Sequence, residues 1–259
     1  MGIEMKPYYR PLSLESCGYL VKKAGDKAKI LAGGGYIPDA ADTRKGDVLI
    51  DLQALHLDQI KFGEGSVKLG GLCNLNMLGV AFPDLPELRN AIQHQAGANV
   101  RNTLSLANFL RFAHLGQSSP LLCALVALDA QILPLMEEKL FGLWDYVREN
   151  KAIPVIRELI LPAAASFAYG QVGRSEMDLP QVYMGIFFKK SGELRVAFGG
   201  PSIFVAEGSK ESVLEAIAQA LPVLRDQWAG AAFRQQALIA LMERLVDERQ
   251  DALAQKEAK

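Results

Sequence analysis

Leu31-Ala32-Gly33-Gly34-Gly35-Tyr36-Ile37 closes the short apolar run Lys29-Ile30-Leu31, and Val100-Arg101-Asn102-Thr103-Leu104-Ser105-Leu106-Ala107-Asn108-Phe109-Leu110 stands further along the chain. A glycine run directly after a strand lets the backbone enter the φ > 0 region. It also lets amide N–H groups converge on an anion with no Cβ in the way. Two such bends facing each other would clamp a pyrophosphate, which makes a dinucleotide such as FAD the first ligand to consider.

The 259 residues suffice for one large domain or two to three small ones. Hydrophobic residues make up 50% and charged residues 22%, a globular composition. The formal net charge of −1 implies no basic surface for nucleic acid. No apolar stretch approaches the ~20 residues that span a bilayer. The opening Met1-Gly2-Ile3-Glu4-Met5-Lys6-Pro7 has no apolar core of a secretion signal. Cys17, Cys73 and Cys123 are odd in number and widely spaced, which suits buried thiols in a reducing cytoplasm. Their spacing does not suit an iron–sulfur cluster held by this chain alone.

Along the chain, Leu12 to Val21 reads as a helix with Ser13 as its cap, and Ala28–Leu31 and Asp47–Leu52 as strands of a β-α-β-type unit. Gln59–Phe62 and Ser66–Gly70 around Gly63-Glu64-Gly65 read as a hairpin. Helices are expected over Asn74–Phe82, Glu87–Gln95, Pro120–Leu128 and Phe141–Glu149. Strands are expected over Ala130–Leu135 and Val155–Leu161. Ala163-Ala164-Ala165-Ser166 reads as a crossing between domains. Beyond it come three strands, Ser166–Tyr169, Val182–Phe188 and Leu194–Phe198, with Gly199-Gly200-Pro201 closing the last. Two helices follow, Glu211–Trp228 and Ala231–Glu248. The order is that of an α+β protein.

At these residues the chain resembles the FAD-binding medium subunit of the molybdenum hydroxylases, the flavoproteins of the xanthine dehydrogenase and carbon monoxide dehydrogenase type. The resemblance runs from Tyr9-Arg10-Pro11 to about Glu248. It rests on Ala32 to Ile37, on Ile50-Asp51-Leu52, on Val67-Lys68-Leu69-Gly70-Gly71, on Val100-Arg101-Asn102, on Ala124 to Ala130, and on Phe198-Gly199-Gly200. It implies a two-lobed FAD-binding domain of the PCMH type over residues 1–162, with lobes of about 1–55 and 56–162. A smaller α+β C-terminal domain, a three-stranded antiparallel sheet with helices, would occupy residues 163–259.

The resemblance also implies an oxidoreductase subunit active within a complex. Electrons would pass between the iron–sulfur clusters of one partner and an acceptor such as NAD, with a molybdopterin-binding subunit as the other partner. Ala32, Gly33, Gly34, Gly35, Tyr36 and Ile37 would face the pyrophosphate from the first bend. Arg101, Asn102, Ser105, Leu106, Ala107 and Asn108 would do so from the second, with Tyr169 and Gln171 toward the flavin ring. No side chain need act as acid or base.

The second bend departs from the family pattern: it is one residue shorter, Leu104 stands for a glycine, and Ala107 replaces one of two central glycines. Gln171 stands where the family has a basic residue and supplies no charge. Each assignment has a structural counterpart. Arg101 and Asn102 also suit an ion pair and a cap, Ser105 and Asn108 a turn and a helix cap, and Tyr169 a core position. His56, His94 and His114 lack metal-ligand spacing. A scaffold or assembly protein of the same fold, with weak or lost FAD binding, is the alternative reading.

Overall fold

The computed structural model describes residues 7–33, 47–113, 119–149, 151, 153–163, 166–175, 178, 180–220, 226 and 228–257. The first element is a short strand, β1 (Tyr8–Tyr9), followed by α1 (Leu14–Ala24). Ser13 caps α1 as the sequence leads one to expect, but its reciprocal partner is Ser16. The Ser16 amide donates to Ser13 Oγ at 3.1 Å, and the Ser13 amide donates to Ser16 Oγ at 3.2 Å. Strands β2 (Ala28–Leu31) and β3 (Val48–Asp51) follow. The three strands form a parallel sheet in the order β1-β3-β2, with Leu31 opposite Asp51. The Tyr8 hydroxyl donates to the Asp51 carboxylate and ties the edge strand to the centre.

A second sheet holds five strands, β4 (Ile60–Gly63), β5 (Ser66–Gly70), β6 (Gln131–Pro134), β7 (Phe141–Gly142) and β8 (Ile156–Pro162), in the antiparallel order β4-β5-β8-β6-β7. The β4–β5 hairpin turns on Glu64-Gly65, with Gly65 at φ 80°. Helices α2 (Leu75–Ala81), α3 (Pro86–Gln95), α4 (Ala98–Thr103), α5 (Leu106–Ala113), α6 (Pro120–Ala127) and α7 (Leu143–Arg148) belong to this part of the chain. Residues 141 and 142, expected as the start of a helix, pair instead with β6, and α7 begins at Leu143.

After Pro162 the chain builds a third sheet from β9 (Phe167–Val172), β10 (Val182–Phe188), β11 (Leu194–Gly199) and β12 (Ile203–Gly208). It is an antiparallel meander of four strands, one more than the three expected. Gly199-Gly200-Pro201 is a turn into β12, not a terminator. A Cβ on Gly199 would stand 2.1 Å from the Ser202 carbonyl oxygen, so only glycine permits the reversal. Helix α8 (Lys210–Gln219) ends well before Trp228, which lies instead in an Asp226-centred turn with its amide 2.7 Å from Asp226 Oδ1. Helix α9 runs from Ala231 to Glu257, beyond the expected end at Glu248.

The strands β9 to β11 of the third sheet are largely buried on both faces, so they read as near-continuous apolar runs. Val182, Met184, Ile186, Val196 and Phe198 pack against Val213, Ile217, Leu238 and Met242 of α8 and α9. Phe167, Tyr169, Tyr183 and Ala197 join the main core on the other side. There they meet α6, whose eight residues are all buried. Contact is close enough that a Cβ on Gly185 would lie 2.9 Å from Ala127 Cβ and 3.1 Å from the Phe167 ring.

Arg195 fastens the same junction. Its Nε donates to the Val126 carbonyl at 3.3 Å, and its terminal nitrogens pair with Asp129 at 3.1 Å and with Glu207. No helix among the described residues is long and apolar enough to cross a membrane. Gly185→Val is expected to destabilise the protein by about 1–3 kcal/mol through overpacking against α6. The midpoint of denaturant unfolding measures it, and an unchanged midpoint would show that the junction yields.

Candidate functional site

Ala32, fully buried, continues β2, and Gly33 turns the chain at φ 87°. That conformation is costly for any residue with a Cβ. Gly34, Gly35, Tyr36 and Ile37 lie outside the described residues, as does His114.

The second segment is not a glycine-type bend. Residues 98–103 form α4, Leu104-Ser105 is a two-residue link, and α5 starts at Leu106. The link forms an isolated antiparallel bridge between Ser105 and Asn74. Around it, the Leu75 amide donates to the Leu104 carbonyl at 3.2 Å and the Leu106 amide to the Cys73 carbonyl at 2.8 Å. The Ala107 amide donates to the Gly71 carbonyl at 2.8 Å, and the Phe109 amide to the Ser105 carbonyl at 2.8 Å. The Asn108 amide is capped by Ser105 Oγ at 3.2 Å.

The backbone donors of residues 106–109 are therefore all engaged inside the protein. In the second segment Leu106 and Ala107 are both fully buried, and their amides meet protein carbonyls.

The side chains of Ser105 and Asn108, each 2% exposed, point at the first bend. Ser105 Oγ donates to the Ala32 carbonyl at 2.5 Å while accepting from the Asn108 amide, which uses its single donor and one lone pair. Asn108 Nδ2 donates to the Gly33 carbonyl at 3.4 Å. Arg111, one turn further along α5, reaches the Ile30 carbonyl at 3.4 Å. Sequence reading missed this third contact. Its signal was the three-residue spacing of Asn108 and Arg111, which places both on one helix face.

Arg101 and Asn102 tie α4 to its surroundings. Arg101 Nη1 donates to the Ala96 carbonyl at 2.9 Å, and its Nε to Asn76 Oδ1 at 3.3 Å. Asn102 accepts from the side-chain amides of Asn74 and Asn76. Tyr169 is 6% exposed within the core and donates from its hydroxyl to Gln171 Oε1 at 2.8 Å. Burial pushes its phenol pKa up. Arg174, just past β9, lies 5.2 Å from the ring centroid of Trp228 and 3.8 Å from Asp178.

The residues present fit the diphosphate of FAD on the first bend. Gly33 has the backbone that only glycine takes readily, which lets an anion approach with no Cβ in the way. Thiol chemistry has no place in this site. Cys17, Cys73 and Cys123 are all buried and unpaired. Burial pushes the Cys73 thiol up to about 11 and raises the other two as well. No group of three metal-ligating side chains occurs among the described residues.

A family model described as the FAD binding domain in molybdopterin dehydrogenase matches residues 3–143. The protein YgfM of Escherichia coli K12, itself described as uncharacterized, is 26% identical over 200 residues, which are 76% of this chain and 74% of that one. Among solved structures, a carbon monoxide dehydrogenase chain from Hydrogenophaga pseudoflava superposes with a TM-score of 0.72 at 20% identity, covering 95% of this chain and 98% of that one. That enzyme is described as lacking the Mo-pyranopterin moiety of its molybdenum cofactor. A chain of quinoline 2-oxidoreductase from Pseudomonas putida 86 superposes with a TM-score of 0.70 at 16% identity, covering 97% and 99%. At these identities the structural likeness establishes the shared fold.

Ser105→Ala removes a buried donor to Ala32 and the cap on Asn108, and is expected to lower stability by about 1–3 kcal/mol. Asn108→Ala removes one bond and should cost less; the reverse order in denaturant unfolding would refute the brace. The three thiols should resist a thiol reagent at pH 8 in the folded protein, since a pKa of about 11 leaves Cys73 protonated there. All three should react after unfolding, and rapid reaction of any one in the native state would contradict its burial.

Proposed function

The chain belongs to the family of FAD binding domains in molybdopterin dehydrogenases, and from that premise we propose that it is the flavoprotein subunit of a molybdenum hydroxylase-type complex. In this reading it holds FAD and connects the iron–sulfur clusters of one partner with an acceptor such as NAD. A molybdopterin-binding subunit completes the assembly. FAD, when bound, supplies the electron exchange at its isoalloxazine; this chain binds and orients it. The FAD-binding part ends near residue 162 and the third sheet with α8 and α9 forms the smaller unit. We place the complex in the cytoplasm, a reading supported by the three unpaired thiols.

The observation that carries the proposal is the left-handed Gly33 bend held at the start of α5. Gly33 with Gly34, Gly35, Tyr36 and Ile37 would hold the diphosphate. Amide hydrogen bonds to a charged acceptor contribute roughly 1.5–3 kcal/mol each, so a single bend can anchor the cofactor without a lysine or arginine. Ser105 and Asn108 would act through the carbonyls they restrain, Arg101 and Asn102 through the placement of α4. Tyr169 would orient Gln171, whose side-chain amide is then presented toward the flavin ring.

One observation favours the alternative of a scaffold with weak or lost FAD binding: the amides of residues 106–109 already have partners within the protein. Purification decides between the two. A yellow protein with about one FAD per chain supports the flavoprotein. A colourless protein that takes up no FAD from excess supports the scaffold. Gly33→Val is expected to reduce FAD retention at least about tenfold, because the φ 87° turn resists a β-branched residue. Circular dichroism should show the fold intact, and undiminished FAD in that variant would remove the first bend from the site.

A further inference from the structure

A groove of about 650 Å³ opens at the opposite end of β9 and β10 from Gln171. It lies between the β4–β5 hairpin, the α2–α3 connection, the end of β10 and the last third of α9. The register separates it from the candidate site. Tyr183, at the start of β10, pairs with Gln171, whereas Phe188 stands at the far end of the same strand.

The walls are chemically divided. Phe62, Phe82 and Phe188 supply aromatic surface, and Phe62 is 72% exposed although large and apolar. The charged groups are Arg249 and Lys190, with Asp84 as the one carboxylate. Arg249 sits 5.9 Å from the Phe188 ring centroid. Its Nε is shut off from solvent without an acceptor, and among the described residues its guanidinium has no ion-pair or hydrogen-bond partner. A buried guanidinium Nε with no acceptor is an unsatisfied donor that a ligand oxygen would meet. A carboxylate offers the planar, two-oxygen match that a guanidinium fork takes best. The volume is that of a site for a compact ligand of two or three rings.

We propose that this groove binds a small aromatic carboxylate, with its rings against Phe62, Phe82 and Phe188 and its carboxylate on Arg249, Lys190 adding a second positive charge at the rim. The site is independent of the flavin reading, because it shares no residue with the first bend. Asp84 restricts it to ligands whose single negative charge lies at the Arg249 end.

The test is calorimetric titration of the full-length protein with 2-naphthoate, with and without saturating FAD. One saturable site is expected, at the same affinity in both conditions. Arg249→Gln should weaken it about tenfold or more, the scale of a lost charge-assisted pair. Phe62→Ser, at an exposed position that leaves folding intact, should also weaken it, and the neutral 2-naphthalenemethanol should bind correspondingly worse than the acid. Absence of saturable binding, equal affinity for acid and alcohol, unchanged affinity in Arg249→Gln, or displacement of 2-naphthoate by FAD would each overturn the proposal.

Discussion

A single buried hydroxyl joins the two halves of the candidate site. Ser105 Oγ caps α5 through the Asn108 amide and at the same time holds the Ala32 carbonyl where β2 gives way to the glycine bend. Among the described residues the first sheet hydrogen-bonds edge to edge with neither of the other two. Its position relative to the main core therefore depends on packing and on a few directed bonds of this kind. Asn108 and Arg111 repeat the contact at Gly33 and Ile30, so one face of α5 reads three neighbouring backbone carbonyls in turn. The segment that in sequence resembles a second phosphate-binding bend works here as a support for the first.

The exchange has a physical logic. A chain with glycine at positions 104 and 107 could keep its amides pointed outward into a ligand. With Leu104 and Ala107 the segment winds into α4 and α5, and burial of Leu106 and Ala107 pulls their amides onto Cys73 and Gly71. Unpaired buried amides are costly, so once these residues are inside the core their donors have to be met by protein carbonyls. Gly33, by contrast, keeps a glycine backbone at φ 87°.

Much of the fold was legible because its signals are local. Ser13 before an amphipathic run marks a capped helix, Glu64-Gly65 between alternating strands marks a hairpin, and Pro120 before an unbroken apolar stretch marks a buried helix. β12 is not legible because Gly-Gly-Pro has the composition of a segment that ends a strand, while its role as a tight reversal depends on the strand it leads into. The same limit applied to Ser105 and Asn108. Residue type restricts them to phosphate ligands or caps, and only the approach of Ala32 and Gly33, distant in sequence, decides how their side chains are used. Arg101 and Asn102 were open in the same way until Asn74 and Asn76 were seen beside them.

Tyr183 carries a consequence for how the third sheet is held. Its hydroxyl donates to the Gly200 carbonyl at 2.8 Å and accepts from the Ser119 amide at 3.3 Å, so the turn before β12 and the cap of α6 share one phenol. Swinging the third sheet outward would leave the Ser119 amide at the start of α6 without its acceptor and strip Cys123 from the Ala197 carbonyl along with the packed faces around it. The small parallel sheet is held to the same core by packing as well as by bonds, since Ala32, Ile50 and Leu52 are fully buried in it. One phenol thus locks the C-terminal sheet to the start of α6, so the two can shift only together.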